Sequence, residues 1–445
     1  MKSTNTKSSP APNPDTIFAQ LLQDLPPETA QLARTFQAFT RARKIQTPTQ
    51  LLRVVLLFAA LDYSERQIAA NLLLVDPRLK QLSNQAVRER LAACLPWLQA
   101  ILPQLLTRPA LPALPANKRL LALDASEICA PGTCGTWRLH ALLDVVTLQL
   151  AGLELTDVKT GETLCNFPFQ AGEVVLTDRG YSHRRGVAHV IDSGGAVLTR
   201  YNPHHIPLVD AQRQALDSAA WLVACARGET RTRHAFFIAP DGRLQAVWIH
   251  AYRLPEAAAA RARRRCRRAG ATGKYTPKAV TLWLAEFVLV LSTVPPEELS
   301  ATVVLALYRC RWQVELLFKR YKSLLDFDQL RARTGSVLGQ VWLHGKLLYA
   351  CLLERRAGRR CGPDWTRLDT VRRGSWWRVW QLLRDELTPL ITLAQCWEEA
   401  AWPQVLTALA ERPRRRRLQT LSTIVVRWLQ LPLVPNAPRT QGATL

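Results

Sequence analysis

The chain has 445 residues, enough for two or more domains with a sizeable buried core. Its 59 Lys and Arg outnumber 35 Asp and Glu, a formal net charge of +24 carried mostly by arginine; DNA, RNA and anionic membrane are the candidate partners. The apolar runs VLLFAAL and FVLVLSTV fall short of the roughly 18 residues a membrane span needs, and the N-terminus lacks a signal-peptide apolar stretch. A soluble, cytoplasmic protein is expected.

Residues 1–15, MKSTNTKSSPAPNPD, read as a disordered lead. From 16 to 110 the apolar period is helical, and this segment is the candidate DNA-binding domain. Ser64 and Gln67 form a capping box ahead of IAANLLL, and Ser83 caps a second short helix, NQAVRERLAACL. Asp76-Pro77 breaks the chain between them. Two such helices suit a helix-turn-helix, whose second helix would bring Arg88, Asn84 and Gln85 to base edges. An ordinary helical bundle explains the same pattern. PALPALPAN then reads as a proline-rich linker.

Beyond the linker, LLALD, LHALLDVVTLQLAGLELTDV, EVVLTD, GAVLTRY, WLVACAR, HAFFIAP and LQAVWIHAY are rich in β-formers and predict strands. LLALDASEI delivers Asp124 at a strand end, and GEVVLTDRGY delivers Asp178 just before a turn. The interval between these aspartates accommodates the hairpin strands of a ribonuclease-H-like sheet. The longer interval from Asp178 to Glu315 implies an insertion, placed at 195–280. FVLVLST would return the chain to the core, and Pro295-Pro296 would open the next helical region.

In YRCRWQVELLFKRYK, Tyr308, Arg311, Glu315 and Lys322 are spaced Y-x2-R-x3-E-x6-K. On one α-helix they would share an arc of roughly 60°, beside an apolar arc of Leu307, Val314, Phe318 and Leu325. Charges at such spacing are ordinarily a solvated face. Two strand-borne aspartates followed by a helical glutamate, ringed by basic residues, form a three-carboxylate set suited to two divalent cations.

Two arginine clusters follow the same logic. RARRRCRRAG (261–270) is expected in a helix end or loop of the insertion, with Arg264 and Arg267 as phosphate contacts; RPRRRRL lies between C-terminal helices. No amphipathic segment pairs either cluster with an exposed apolar face, so no membrane partner is expected. The ten cysteines lack metal-ligand spacing and read as reduced thiols, and the adjacent His204 and His205 are poor joint ligands. From Val337 onward the pattern is helical, with tryptophans suited to a core or a protein interface.

The four-residue signature, together with TDRGY at Asp178, Arg179, Gly180 and Tyr181, resembles the bacterial insertion-sequence transposases of the DDE type with the YREK signature. The stretches WRLHALLDVVT and TGETLCNFPFQAGEVVLTDRGY carry the likeness further, over about residues 118 to 345. The resemblance implies an α/β fold with a ribonuclease-H-like mixed sheet (118–194 and 281–345), a β-rich insertion, and flanking N- and C-terminal helical domains, the latter (346–445) aiding dimerisation on paired DNA ends. It implies that Asp124, Asp178 and Glu315 ligate two Mg²⁺, with Mn²⁺ as a substitute. Tyr308, Arg311, Lys322 and Arg179 would then hold phosphates beside the cut. An aromatic before the signature, Trp283 or Phe287, would stack a flipped base, whereas Trp312 reads as packing. The implied activity is cleavage of element ends and their joining to target DNA in the nucleoid. The open alternatives are a non-cutting DNA-binding descendant of a transposase and a ribonuclease-H-like nuclease without strand transfer.

Overall fold

The computed structural model describes residues 14–75, 83–106, 118–129, 137–331, 335–362, 375–393 and 422–431. The proline-rich stretch, the Asp76-Pro77 break and the 412–418 arginine cluster lie outside them. Six helices come first: α1 (Pro14–Leu22), α2 (Thr29–Thr35), α3 (Pro48–Ala59), α4 (Glu65–Val75), α5 (Asn84–Ala92) and α6 (Leu95–Leu105). Local chemistry sets their starts. Thr47 caps α3 with Pro48 in its first turn. The Ser64 N–H donates to Gln67 Oε1 at 2.9 Å while Gln67 N–H returns to Ser64 Oγ, which is the expected capping box. Ser83 accepts from Ala86 N–H at the head of α5.

Eight strands follow: β1 (Arg119–Ile128), β2 (Trp137–Asp144), β3 (Leu150–Asp157), β4 (Glu173–Thr177), β5 (Ala196–Arg200), β6 (Thr230–Ile238), β7 (Leu244–Arg253) and β8 (Phe287–Ser292). They form one sheet in the order β3-β2-β1-β4-β5-β8-β7-β6. β1, β4 and β5 are parallel neighbours, and the remaining pairs are antiparallel. This mixed sheet is consistent with a ribonuclease-H-like core.

Side chains alternate strictly across it. Leu120, Ala122, Val174, Leu176, Leu198 and Val290 enter one apolar cluster, whereas Leu121, Leu123, Val175, Val197, Leu289 and Leu291 enter the other. On the second face lie α7 (Arg184–Asp192), which links β4 to β5, and α8 (Ser218–Val223). The first face carries α11 (Ala301–Arg309), α12 (Trp312–Leu325) and α13 (Val337–Cys361). The remaining elements are α9 (Glu256–Thr272), α10 (Ala279–Leu284), α14 (Trp376–Thr392) and α15 (Thr423–Trp428).

Several expectations are corrected. WLVACAR is not a strand, because Asp217 accepts from the N–H groups of Ala219 and Ala220 and starts α8 there. The strands of the 195–280 segment belong to the same sheet as the core strands. β5 sits inside the sheet, β7 pairs with β8 so that the β6–β7 hairpin extends the same sheet, and much of the rest is helix. Of the helix end or loop expected for the 261–270 arginines, the structure has helix: they run from the middle of the 17-residue α9 to near its C-terminal end. The helix after Pro295-Pro296 begins only at Ala301.

The helices preceding and following the sheet form one packed layer. α13 lies against both α3 and α6. Lys346 of α13, 1% exposed, donates to Asp62 at 2.9 Å and to the Leu325 carbonyl at 2.6 Å, and Trp342 Nε1 donates to the same Asp62. Arg356 pairs with Asp24 and Glu386, linking the first helices to α14. Trp97, Trp342 and Trp380 are buried here, as expected of packing residues. Among the described residues no helix is long and apolar enough to cross a membrane.

Where α13 crosses α3, a Cβ on Gly345 would stand 2.5 Å from Ala59 Cβ. Gly345→Ala therefore forces the helices apart. Urea denaturation is expected to show a stability loss of about 1–3 kcal/mol, despite alanine's better helix propensity.

Candidate active site

Strand parity places the two aspartates. Asp124 follows Leu120 and Ala122 on the face covered by α12, which packs against β1. It is not at a strand end, since β1 continues to Ile128 in register with β2. Asp178 leaves the end of β4 with the parity of Val174 and Leu176, on the same face. Its Oδ1 accepts the Gly180 N–H at 2.8 Å, and its carbonyl accepts from Thr199 Oγ1 of β5 at 2.9 Å. The β4–α7 turn is thereby fixed around its carboxylate.

The four residues of the YRCRWQVELLFKRYK run do not share one helix. Tyr308 ends α11, Glu315 and Lys322 lie on α12, and Arg311 is the N-cap between them. The junction is closed by i→i+3 bonds from Cys310, Arg311, Gln313 and Val314, tighter than α-helical bonding, so the two helices are offset. No proline or glycine marks this break. Arg311 instead answers a tertiary demand: its Nη1 donates to Asp124 Oδ2 at 3.2 Å and its Nη2 to Glu315 Oε1. Leu307, Val314, Phe318 and Leu325 are buried as expected.

Burial pushes the Asp124 carboxyl up to about 7; Arg311 and the Ala125 N–H oppose this, and Asp178 and Glu315 add to it. Burial lowers Arg311, but Tyr308, Asp124 and Glu315 outweigh it and the guanidinium ends above its ordinary value. Tyr308 is raised by burial and lies in the fields of Arg311, Arg200 and Asp178. The structure thus gathers Asp124, Asp178, Glu315, Arg311 and Tyr308. Lys322 is on α12, without an ion pair among the described residues, and Arg179 is exposed beside Asp178.

The other candidates are elsewhere. Arg88 is exposed on α5 and paired with Glu65 at 3.2 Å. Arg264 and Arg267 are exposed on α9. Phe287 is buried, edge-on to Trp283 at 5.2 Å, so a stacked base could reach only Trp283 without rearranging the sheet. The eight described cysteines are free thiols.

Two residues were not singled out from sequence. His140 on β2 is fully buried, with Nδ1 2.6 Å from Tyr181 Oη and Nε2 2.9 Å from Thr156 Oγ1. A histidine inside the apolar run RLHALL was the available signal. Glu162 enters from the loop after β3, and Arg138 fastens that loop by donating to the Thr160 carbonyl at 3.0 Å. Nothing local distinguishes Glu162 from a solvated loop glutamate. Yet a Cβ on Gly180 would overlap Glu162 Oε2 and stand 3.1 Å from Asp178 Oδ1. Tyr181 feels Glu162, Asp124 and Asp178 together.

The donor set is all oxygen, which suits a hard divalent cation. The space a Cβ would fill at Gly180 leaves two carboxylates open to one another. Among the described residues no three His, Cys, Asp or Glu side chains enclose an ion as they stand, and the Arg311 guanidinium lies between Asp124 and Glu315.

Residues 115–351 match the family model described as a transposase DDE domain, more than half of the chain. The chain belongs to the DDE transposases of insertion sequences. It is 32% identical over 340 residues to the putative transposase InsL of insertion sequence element IS186A from Escherichia coli K12, covering 74% of this chain and 90% of the relative. The transposase for insertion sequence element IS421 from Escherichia coli is likewise 32% identical, over 341 residues and the same shares. The gathered carboxylates of this transposase lie inside the matched segment.

Burial holds the His140 imidazole down at about 4, so the folded protein keeps it neutral. The unfolded chain binds that proton more readily below the ordinary histidine range. His140 therefore contributes stability that is present above about pH 6.5 and lost as pH falls toward 4. Chemical denaturation at pH 7 and pH 5 should differ by about 2 kcal/mol more in wild type than in His140→Gln.

Proposed function

We propose that this transposase binds the terminal inverted repeats of its element, cleaves the ends and joins them to target DNA by metal-dependent phosphoryl transfer. The observation that carries this reading is the convergence of Asp124, Asp178 and Glu315 on one sheet face around Arg311. Asp124, Asp178 and Glu315 would hold the divalent ions, taken as two Mg²⁺ with Mn²⁺ as a substitute. When bound, such ions activate an attacking hydroxyl and stabilise the leaving oxygen of a phosphodiester.

The chain's own residues supply position and charge. Arg311 neutralises Asp124 and Glu315 in the protein alone and is free to exchange those carboxylates for a phosphate, for which its planar fork is suited. Tyr308 would contribute a phenol hydroxyl beside Arg311, and Lys322 and Arg179 would meet phosphates flanking the cut. Arg88 with Asn84 and Gln85 on α5 would read the repeat, after Arg88 gives up Glu65. Two copies would assemble on paired DNA ends, with the protein concentrated on the nucleoid.

On α9, Arg263 is satisfied by Glu256 and Glu286. Arg261, Arg264, Arg265 and Arg268 are exposed and spaced three and four residues apart, forming one stripe along the helix. Such a stripe suits successive phosphates of a duplex without reading bases. Arg267 lies to one side of it.

Mg²⁺-dependent nicking of a labelled duplex carrying the element's inverted repeat tests the chemistry, with wild type and Glu315→Gln compared. Cleavage at the repeat end by wild type, reduced at least 1,000-fold in Glu315→Gln with DNA binding retained, is the expected result. Binding without cleavage by wild type in both Mg²⁺ and Mn²⁺ would establish a non-cutting DNA-binding protein instead. For α9, Arg264→Ala should lower the slope of log K against log salt by about 1 without changing sequence preference.

A further inference from the structure

We infer that Glu162 is a fourth carboxylate of the active site, sharing with Asp178 a divalent cation held across Gly180. The inference rests on the phosphoryl-transfer reading above and extends it to a residue outside the Asp124, Asp178 and Glu315 set.

Charge pairing provides the first argument. Of the gathered carboxylates, Asp124 and Glu315 share Arg311. Asp178 and Glu162 have no ion pair among the described residues, in a chain with 59 Lys and Arg. The nearby Arg138 favours the Glu162 charge through its field but makes no ion pair with it; it donates to Glu127 at 3.3 Å and to the Thr160 carbonyl. Two neighbouring carboxylates repel, and that repulsion is relieved by protonation or by a cation between them.

The second argument is the construction around the pair. At Gly180 of the TDRGY turn, a Cβ would occupy the space of the Glu162 carboxylate and push it away from Asp178. Its N–H fixes Asp178 Oδ1, leaving Oδ2 available. Tyr181, the next residue, is buried and tied through His140 to Thr156 near the end of β3, the strand from which the Glu162 loop departs. The loop itself is shaped by Asp157, which accepts from both the N–H and the hydroxyl of Thr160. Glu162 is therefore delivered by a loop anchored at Asp157 and Thr160, and held beside Asp178 without a hydrogen bond of its own among the described residues. That arrangement has a purpose if an ion completes it.

The test is Mn²⁺ binding to the full-length protein, measured by isothermal titration calorimetry and by the electron paramagnetic resonance signal of free Mn²⁺. Wild type, Glu162→Gln, Glu162→Asp, Asp178→Asn and Asp241→Asn are compared. The last removes a carboxylate from the distant β6–β7 turn and controls for net charge. Glu162→Gln should weaken Mn²⁺ binding at least tenfold and raise the Mn²⁺ concentration for half-maximal nicking by a similar factor, with excess Mn²⁺ restoring cleavage. Glu162→Asp, which keeps the charge, should fall between wild type and Glu162→Gln. Thermal melting followed by circular dichroism identifies a variant that fails to fold, in which case Glu162→Asp alone decides. Unchanged Mn²⁺ affinity in both Glu162 variants, with Asp178→Asn weakened, overturns the assignment of Glu162 and leaves the metal-site reading standing. Unchanged affinity in Asp178→Asn as well would overturn both.

Discussion

Arg311 is the counter-charge that allows Asp124 and Glu315 to occupy one partly buried space. Without it, the carboxylate on a central strand and the carboxylate on the covering helix would repel across a region poor in water. The raised pKa of Asp124 records the residual cost: burial and two neighbouring carboxylates outweigh one guanidinium and one backbone N–H. Placing a guanidinium there requires a residue at the first turn of α12 that also faces β1. The tightened junction between α11 and α12 provides it, making Arg311 an N-cap residue whose fork spans both acids. Arg311 and a divalent ion satisfy the same carboxylates, so in the proposed chemistry loading the site and releasing Arg311 toward phosphate are one exchange.

The sheet makes that exchange local. Because alternate residues face opposite sides, Asp124 and Asp178 are committed to the α12 face by the same parity that commits Leu121, Leu123 and Val175 to the other. A one-residue slip of β4 against β1 would move Asp178 away from α12 and turn Val174, Val175 and Leu176 to the opposite faces. Behind α12, α13 is held to the N-terminal helical segment through Lys346–Asp62 and Arg356–Asp24. Breaking such buried pairs leaves an uncompensated charge, so they favour one arrangement over others even where their net contribution to stability is small. The supporting layer is specific in sequence positions more than 280 residues apart.

Much of this was legible before any coordinates. The runs of β-formers that became strands, the Ser64–Gln67 capping box, the Ser83 cap and the order of the three carboxylates are all written in local sequence. What could not be read depends on distant partners. The break at Cys310 and Arg311 follows from Asp124, 187 positions away, and no local breaker marks it. β6 and β7 read as strands, but only their pairing with β8 decides that they extend the core sheet. WLVACAR misled because β-formers there lost to the Asp217 cap. Glu162 and His140 were invisible as functional residues because each is defined by what it faces, not by its neighbours in sequence.

The distribution of charge gives the molecule a direction. Its surplus of 24 positive charges includes the exposed arginines of α9, where Arg263 alone has an ion pair among the described residues, whereas Asp124, Asp178 and Glu315 gather between the sheet and α12. A polyanionic duplex is drawn to the first surface and repelled from the second. On the phosphoryl-transfer reading, it would approach Asp178 and Glu162 once cations stood between its phosphates and theirs. On that reading binding and cutting would be separable: exposed arginines would supply a long-range attraction that salt weakens, and the gathered carboxylates would admit a phosphate once neutralised. A metal-free protein acting in this way would hold DNA at its surface while its own carboxylates kept the scissile bond at a distance.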